Sequence, residues 1–143
     1  MKGKEFLSLV QEMDRDVKRQ IEYIDALRSA LEPSSVNTES ERVQSSIDPD
    51  KFGKIFARID EEEKKLSVMK IEFIRYKVDA ITAIKRVQSD KLSVLLHEHY
   101  INYKSFKVIS ELMNYSYDYV LELHSKAIKE FESDLIDTST IPC

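Results

Sequence analysis

Three histidines are the most obvious coordinating side chains of the 143-residue sequence, and two of them stand in the run His97-Glu98-His99. On a helix, side chains two positions apart point about 200° away from each other, so one ion is not readily held by both. His124 lies far along the chain. No metal site and no cofactor are expected, and His97 and His99 are expected to face solvent or phosphate. Cys143 is the single cysteine, so neither a disulfide framework nor a thiolate zinc site can be built. Glu61-Glu62-Glu63 followed by Lys64-Lys65 reads as a solvated helix face, with Glu61 and Lys65 an i,i+4 pair worth about 0.3 kcal/mol. No nucleophile–base arrangement or carboxylate pair in a cleft is visible. The two glycines, Gly3 and Gly53, make no phosphate loop. An enzyme is not expected, and no catalytic residue is assigned.

The stretch with a recognisable task runs over 105–128, SFKVISELMNYSYDYVLELHSKAI. It reads as a helix of about eight residues, a three-residue turn and a longer helix. A steep helix crossing requires a small residue in the first helix, and Ser110 stands there. The turn requires a residue that tolerates positive φ, and Asn114 does so. Ser116 can cap the second helix. Val120, Leu123 and Ala127 recur at the spacing of a buried helix face. These are the local requirements of a helix-turn-helix. In such a motif the exposed start of the second helix reaches base edges. The base-contact candidates are therefore Tyr117, Asp118, Tyr119, Glu122 and Ser125, and the phosphate-contact candidates are Lys104, Lys107, Lys126 and Lys129. An acidic side chain accepts from cytosine N4, and a tyrosine donates or packs on a thymine methyl. Packing of Tyr115, Tyr117 and Tyr119 on the preceding short helix is the competing role.

The elements that must hold this stretch are helical. Two glycines and three prolines among 143 residues, with 34% charged and 42% hydrophobic side chains, exclude turn-rich β folds and dinucleotide-binding folds and suit long solvated helices. Val10, Met13, Val17, Ile21, Ile24, Leu27 and Leu31 form one stripe on a first helix over about 4–31. Residues 32–48, with Pro33 and many Ser, Thr, Asn and Glu, are expected to form a mobile Ser-rich loop. Asp48-Pro49 then signals a helix start. Phe52, Ile55, Ile59, Glu62, Leu66, Met69, Phe73, Tyr76, Ala80, Ala83 and Val87 continue as a heptad seam on a helix about 60 Å long. Glu62 either sets the register of that seam or lies exposed. Ile71, Ile74, Val78, Ile81 and Ile84 add a second face. The long stripe suits an antiparallel hairpin with the first helix, a homodimeric seam, or both. Ser89-Asp90 caps a short helix carrying Leu92, Leu95 and Leu96, and INYKS (101–105) is a turn. The expected fold is all-α: a long, coiled-coil-like helical hairpin over 1–88, a small three-helix helix-turn-helix domain over 89–134, and a frayed tail over 135–143.

The stretch 95–131 resembles region 4 of bacterial sigma factors and their relatives. Leu96, Tyr100, Ser105, Ile109, Ser110, Asn114, Ser116, Val120, Ala127 and Ile128 stand at that family's pattern positions. With the upstream DPDKFGKIFARID (48–60), the resemblance extends over about 20–132 to phage and prophage transcriptional regulators of the ArpU and RinA type from Gram-positive bacteria. Met113, Tyr115, Ser116, Tyr117 and the run Leu123–Ala127 carry that likeness. It implies promoter-DNA binding through the C-terminal motif, with a contact to RNA polymerase. The sequence departs from the pattern where basic residues belong: Asp118, Leu121 and Glu122 in the second motif helix, and His97 and His99 in place of paired arginines.

Charge bears on the same question. Residues 89–143 hold five lysines and no arginine against nine acidic residues, a balance of −4, whereas residues 49–88 balance at +3. Phosphate neutralisation supplies most non-specific DNA affinity. An acidic reader therefore binds weakly unless two copies act together through the long helix. The expected partners are double-stranded DNA, RNA polymerase and a second copy. The alternative is a helical adaptor that binds no DNA and docks on RNA polymerase or another phage protein through an acidic, degenerate motif. No stretch approaches the roughly 20 apolar residues of a membrane span. The first sixteen residues meet acidic side chains too soon for a signal peptide. A cytoplasmic location in a bacterial host cell is expected.

Overall fold

The computed structural model describes residues 2–32 and 49–139, and these are all-helical with no strand. Five α-helices follow in order: α1 (Gly3–Ser29), α2 (Pro49–Arg86), α3 (Asp90–Leu96), α4 (Phe106–Met113) and α5 (Tyr117–Ser139). A π-helical turn, His97–Ile101, continues α3. The expected mobile loop lies outside the described residues, apart from its first residue. α5 continues to Ser139, through the first five residues of the expected tail. No described helix is long and apolar enough to cross a membrane.

The helix boundaries follow local chemistry. Pro49 opens α2, where its missing N–H costs nothing, and Lys85 and Arg86 complement the dipole at the other end. Ser89 Oγ accepts from the Leu92 N–H and Ser105 Oγ from the Val108 N–H, so α3 and α4 each begin on a serine cap.

The chain divides into two compact units, Met1–Met13 with Phe73–Cys143, and Asp14–Glu72. In the second of these, Val17, Ile24 and Ile59 are buried, and so is Glu62. The Gln20 side-chain amide donates to Glu62 Oε1 at 2.8 Å and to the Glu62 carbonyl at 3.1 Å. The polar residue of the heptad seam is thus satisfied within the chain rather than exposed. The Gln20 hydrogen bond first, then Lys65 and Arg58, hold its carboxyl below the usual carboxylate range. Arg28 pairs with Glu63 at 2.6 Å.

The other unit carries the larger core. Leu7 and Val10 of α1 and Ala80, Ala83 and Ile84 of α2 join Val87, Leu92, Leu95, Leu96, Tyr100, Ile109, Val120, Leu123, Ala127 and Phe131. The second half of the heptad seam is therefore spent inside the chain, with Phe73 and Tyr76 packed at the edge of the same core. Gly3 lies so close to α5 that a Cβ there would stand 2.8 Å from the buried Phe131 ring and 2.6 Å from Glu132 Cγ. Its N–H donates to Glu132 Oε1 at 3.0 Å, a carboxylate from α5 satisfying the start of α1.

Candidate functional site

Between α4 and α5 the chain turns on Asn114, which sits in the left-handed region at φ 60° and ψ 42°. The Tyr115 N–H reaches back to the Ser110 carbonyl at 3.0 Å and the Asn114 N–H to that of Glu111, so the last carbonyls of α4 are satisfied by the turn itself. Ser116 Oγ then accepts from the Tyr119 N–H at 3.1 Å and caps α5. Ser110 is buried, and its hydroxyl donates to the Lys107 carbonyl at 2.6 Å, so this small polar side chain needs no outside partner.

These constraints fix the rotation of α5. Val120, Leu123, Ala127 and Phe131 point into the core. At about 100° per residue the opposite arc holds Asp118, Leu121, Glu122, Ser125, Lys126 and Lys129, all exposed, whereas Tyr117, three residues before Val120, is exposed on the flank of the first turn. Three of the five base-contact candidates, Asp118, Glu122 and Ser125, share that arc, and Tyr117 is exposed beside it. Tyr119 is half-buried on its border: Lys91 Nζ of α3 donates to its hydroxyl at 3.4 Å, and its ring meets Tyr115 edge-on at 4.9 Å. Lys91 also sits over the Tyr115 ring at 5.1 Å, so Tyr115 and Tyr119 engage α3 while Tyr117 stands exposed. Of the phosphate-contact candidates, Lys107, Lys126 and Lys129 are exposed. Lys104 is half-buried and ion-paired with Glu98, whose carboxyl it holds below the usual range.

The outward surface of α4 and α5 is apolar and acidic as well as tyrosine-bearing. Val108 is 43%, Leu112 59%, Tyr117 50% and Leu121 36% exposed. Glu111, Asp118 and Glu122 are exposed among them.

Behind this surface lies a cluster that periodicity does not reveal. The π-helical turn closes with the Asn102 N–H on the His97 carbonyl at 3.1 Å, one residue wider than an α-helical bond. The chain leaves it through Tyr103, at φ 59°. His99 is not a surface group, as the sequence suggested. Its ring stacks on Phe106 at 4.0 Å, and its Nδ1–H donates to the Lys104 carbonyl at 2.8 Å. His124, on the inward side of α5, meets the His99 ring at 5.8 Å, and its Nε2 lies 2.7 Å from the Tyr100 hydroxyl. Burial, with His99 and Lys4 as lesser causes, drives His124 down to about 4. At neutral pH its ring is therefore uncharged, and Nε2 shares a hydrogen bond with the Tyr100 hydroxyl. Burial pushes that phenol up to about 12. The cluster is a packed hydrogen-bonded wedge under α5. Among the described residues no group of three or more His, Cys, Asp or Glu side chains is gathered to hold a metal ion.

Comparisons with protein-family models, curated proteins and solved structures returned no match.

Proposed function

We propose that this chain is a phage-type transcriptional regulator that binds promoter DNA with the outward arc of α5. In this reading α3, α4 and α5 form a helix-turn-helix domain of the sigma region 4 kind, and α1 and α2 form a helical hairpin that braces it. The observation that carries the reading is the joint between α4 and α5. A left-handed Asn114 and the Ser116 cap set the rotation of α5, so that Val120, Leu123 and Ala127 are buried while Tyr117, Asp118, Glu122 and Ser125 face outward. Lys107, Lys126 and Lys129 are the exposed cations placed to meet phosphates. Three such contacts per copy give an affinity that falls about 40-fold between 50 and 200 mM salt. The test is genome-wide crosslinking of the tagged protein beside an Asp118→Arg variant. Discrete occupied sites that the variant only broadens support the reading. A wild type that occupies nothing, with a variant that begins to bind, refutes it.

One observation favours a second reading. Leu112, Tyr117 and Leu121 are exposed beside Glu111, Asp118 and Glu122, a composition that suits a protein surface better than a phosphate backbone. In that reading the domain is an adaptor docking on RNA polymerase. Titration of purified RNA polymerase against the full chain separates the two: binding abolished by Leu121→Lys, with no DNA affinity at low salt, selects the adaptor.

A further inference from the structure

α2 has a second apolar face. Val68, Ile71, Ile74 and Val78 are 58%, 61%, 57% and 54% exposed, and Ile81 continues the row half-buried. Ile71, Ile74, Val78 and Ile81 follow steps of three, four and three on the side of the helix away from Met69, Tyr76, Ala80 and Ala83. That step is the core seam of a coiled coil over two heptads, and all four positions carry β-branched side chains of the kind that fill such a seam.

The charges beside the seam decide what fits it. Lys70 and Lys77 occupy one flank and Arg75 the other. Between residues 64 and 86 there are seven basic and two acidic residues, a balance of +5. Lys70, Arg75 and Lys85 are exposed, and Lys77 lies over the Phe73 ring at 5.6 Å. The two acidic residues, Glu72 and Asp79, sit outside the flanking positions. A second copy meets like charge either way. In a parallel pair Lys70 of one copy faces Arg75 of the other. In an antiparallel pair the Lys70 and Lys77 flanks face each other. Flanking charges of this kind set partner choice in coiled coils by repulsion as much as attraction.

We propose that the Ile71, Ile74 and Val78 face of α2 docks an amphipathic helix of another protein, one with apolar heptad positions and Glu or Asp at its flanks. The inference stands on α2 alone and does not rest on what α5 binds. The test uses the full chain and two labelled synthetic helices with the same Ile/Leu core, one flanked by Glu and one by Lys, read by fluorescence anisotropy. The Glu-flanked helix binds and the Lys-flanked one does not. Ile74→Lys weakens binding at least about tenfold. The pair Lys70→Glu with Lys77→Glu exchanges the preference to the Lys-flanked helix, a gain that misfolding cannot produce. Equal binding of both helices, or of neither, overturns the proposal. So does self-association in sedimentation that Ile74→Lys abolishes, which would make a second copy the occupant. Adsorption to phosphatidylserine vesicles without peptide binding overturns it as well, and would assign the face to a membrane surface.

Discussion

Acid weakens the unit that contains α5 through His124. Its folded-state pKa is about 4 against an ordinary value of 6.5, because burial disfavours the charged ring and the nearby His99 and Lys4 add to the penalty. The fold therefore favours the neutral form. The stability it contributes is fully present above pH 6.5, falls as pH drops through the interval, and is gone below about 4, where folded and unfolded chains both bind the proton. A shift of that size corresponds to about 3 kcal/mol at full effect. The ring is only partly buried, so solvent screening reduces this to about 1.5 kcal/mol. The assay is a two-dimensional NMR titration of the three imidazoles, paired with urea unfolding of wild type and His124→Gln at pH 7 and 4.5. The glutamine keeps a hydrogen-bonding group beside the Tyr100 hydroxyl and removes the titration. Carboxylates such as Glu62 and Glu98 lose their contribution in both proteins and cancel. Wild type should lose about 1 kcal/mol more than the variant over this interval, which stops short of the folded-state pKa. A His124 resonance that titrates near 6.5, or parallel losses in the two proteins, would refute the buried neutral ring.

Three further outcomes follow from the same geometry. Asn114→Ala should cost about 1–2 kcal/mol in chemical denaturation, because alanine resists the left-handed conformation that Asn114 holds at φ 60°, whereas Asn114→Gly should cost little. Gly3→Ala should lower the thermal midpoint, because its Cβ would meet the buried Phe131 ring at 2.8 Å; an unchanged midpoint would show that the start of α1 does not dock on α5. Gln20→Ala should raise the Glu62 titration toward the ordinary carboxylate range, a shift readable from its side-chain carbon resonance, because the leading cause of its depression is removed.

Much of the fold is written locally. Helix spans follow the three-and-four spacing of apolar residues, and the serines at 89, 105 and 116 cap helices because a β-region Ser before a helical run satisfies otherwise orphaned N–H groups. Asn114 and the inward row Val120, Leu123 and Ala127 were legible for the same reason: each answers a requirement set within a few residues.

What was not legible is long-range. Periodicity says which face of α1 is buried but not against what, so the packing of Leu7 and Val10 with residues near the C-terminus gave no sign in the sequence. The placement of His99 was missed for a different reason. A π-helical turn adds one residue to the helical repeat, which changes the phase of everything after it and turns His99 toward Phe106 and His124. A wheel drawn at 3.6 residues per turn cannot show this. The exposed row on α2 was visible as a second apolar face, but its freedom from the intrachain core was not.

Contact between the outward arc of α5 and DNA is the central proposal. The most direct measurement is a binding titration on a duplex enriched by the full chain from a random pool, repeated across salt concentrations for wild type, Lys126→Ala and Ser125→Ala. DNA reading by α5 should give a log–log salt slope near −3 per copy that drops by about 1 in Lys126→Ala, with Ser125→Ala keeping the slope but relaxing preference at one base pair. Failure of any sequence to enrich, or an affinity indifferent to salt and to both substitutions, would contradict it.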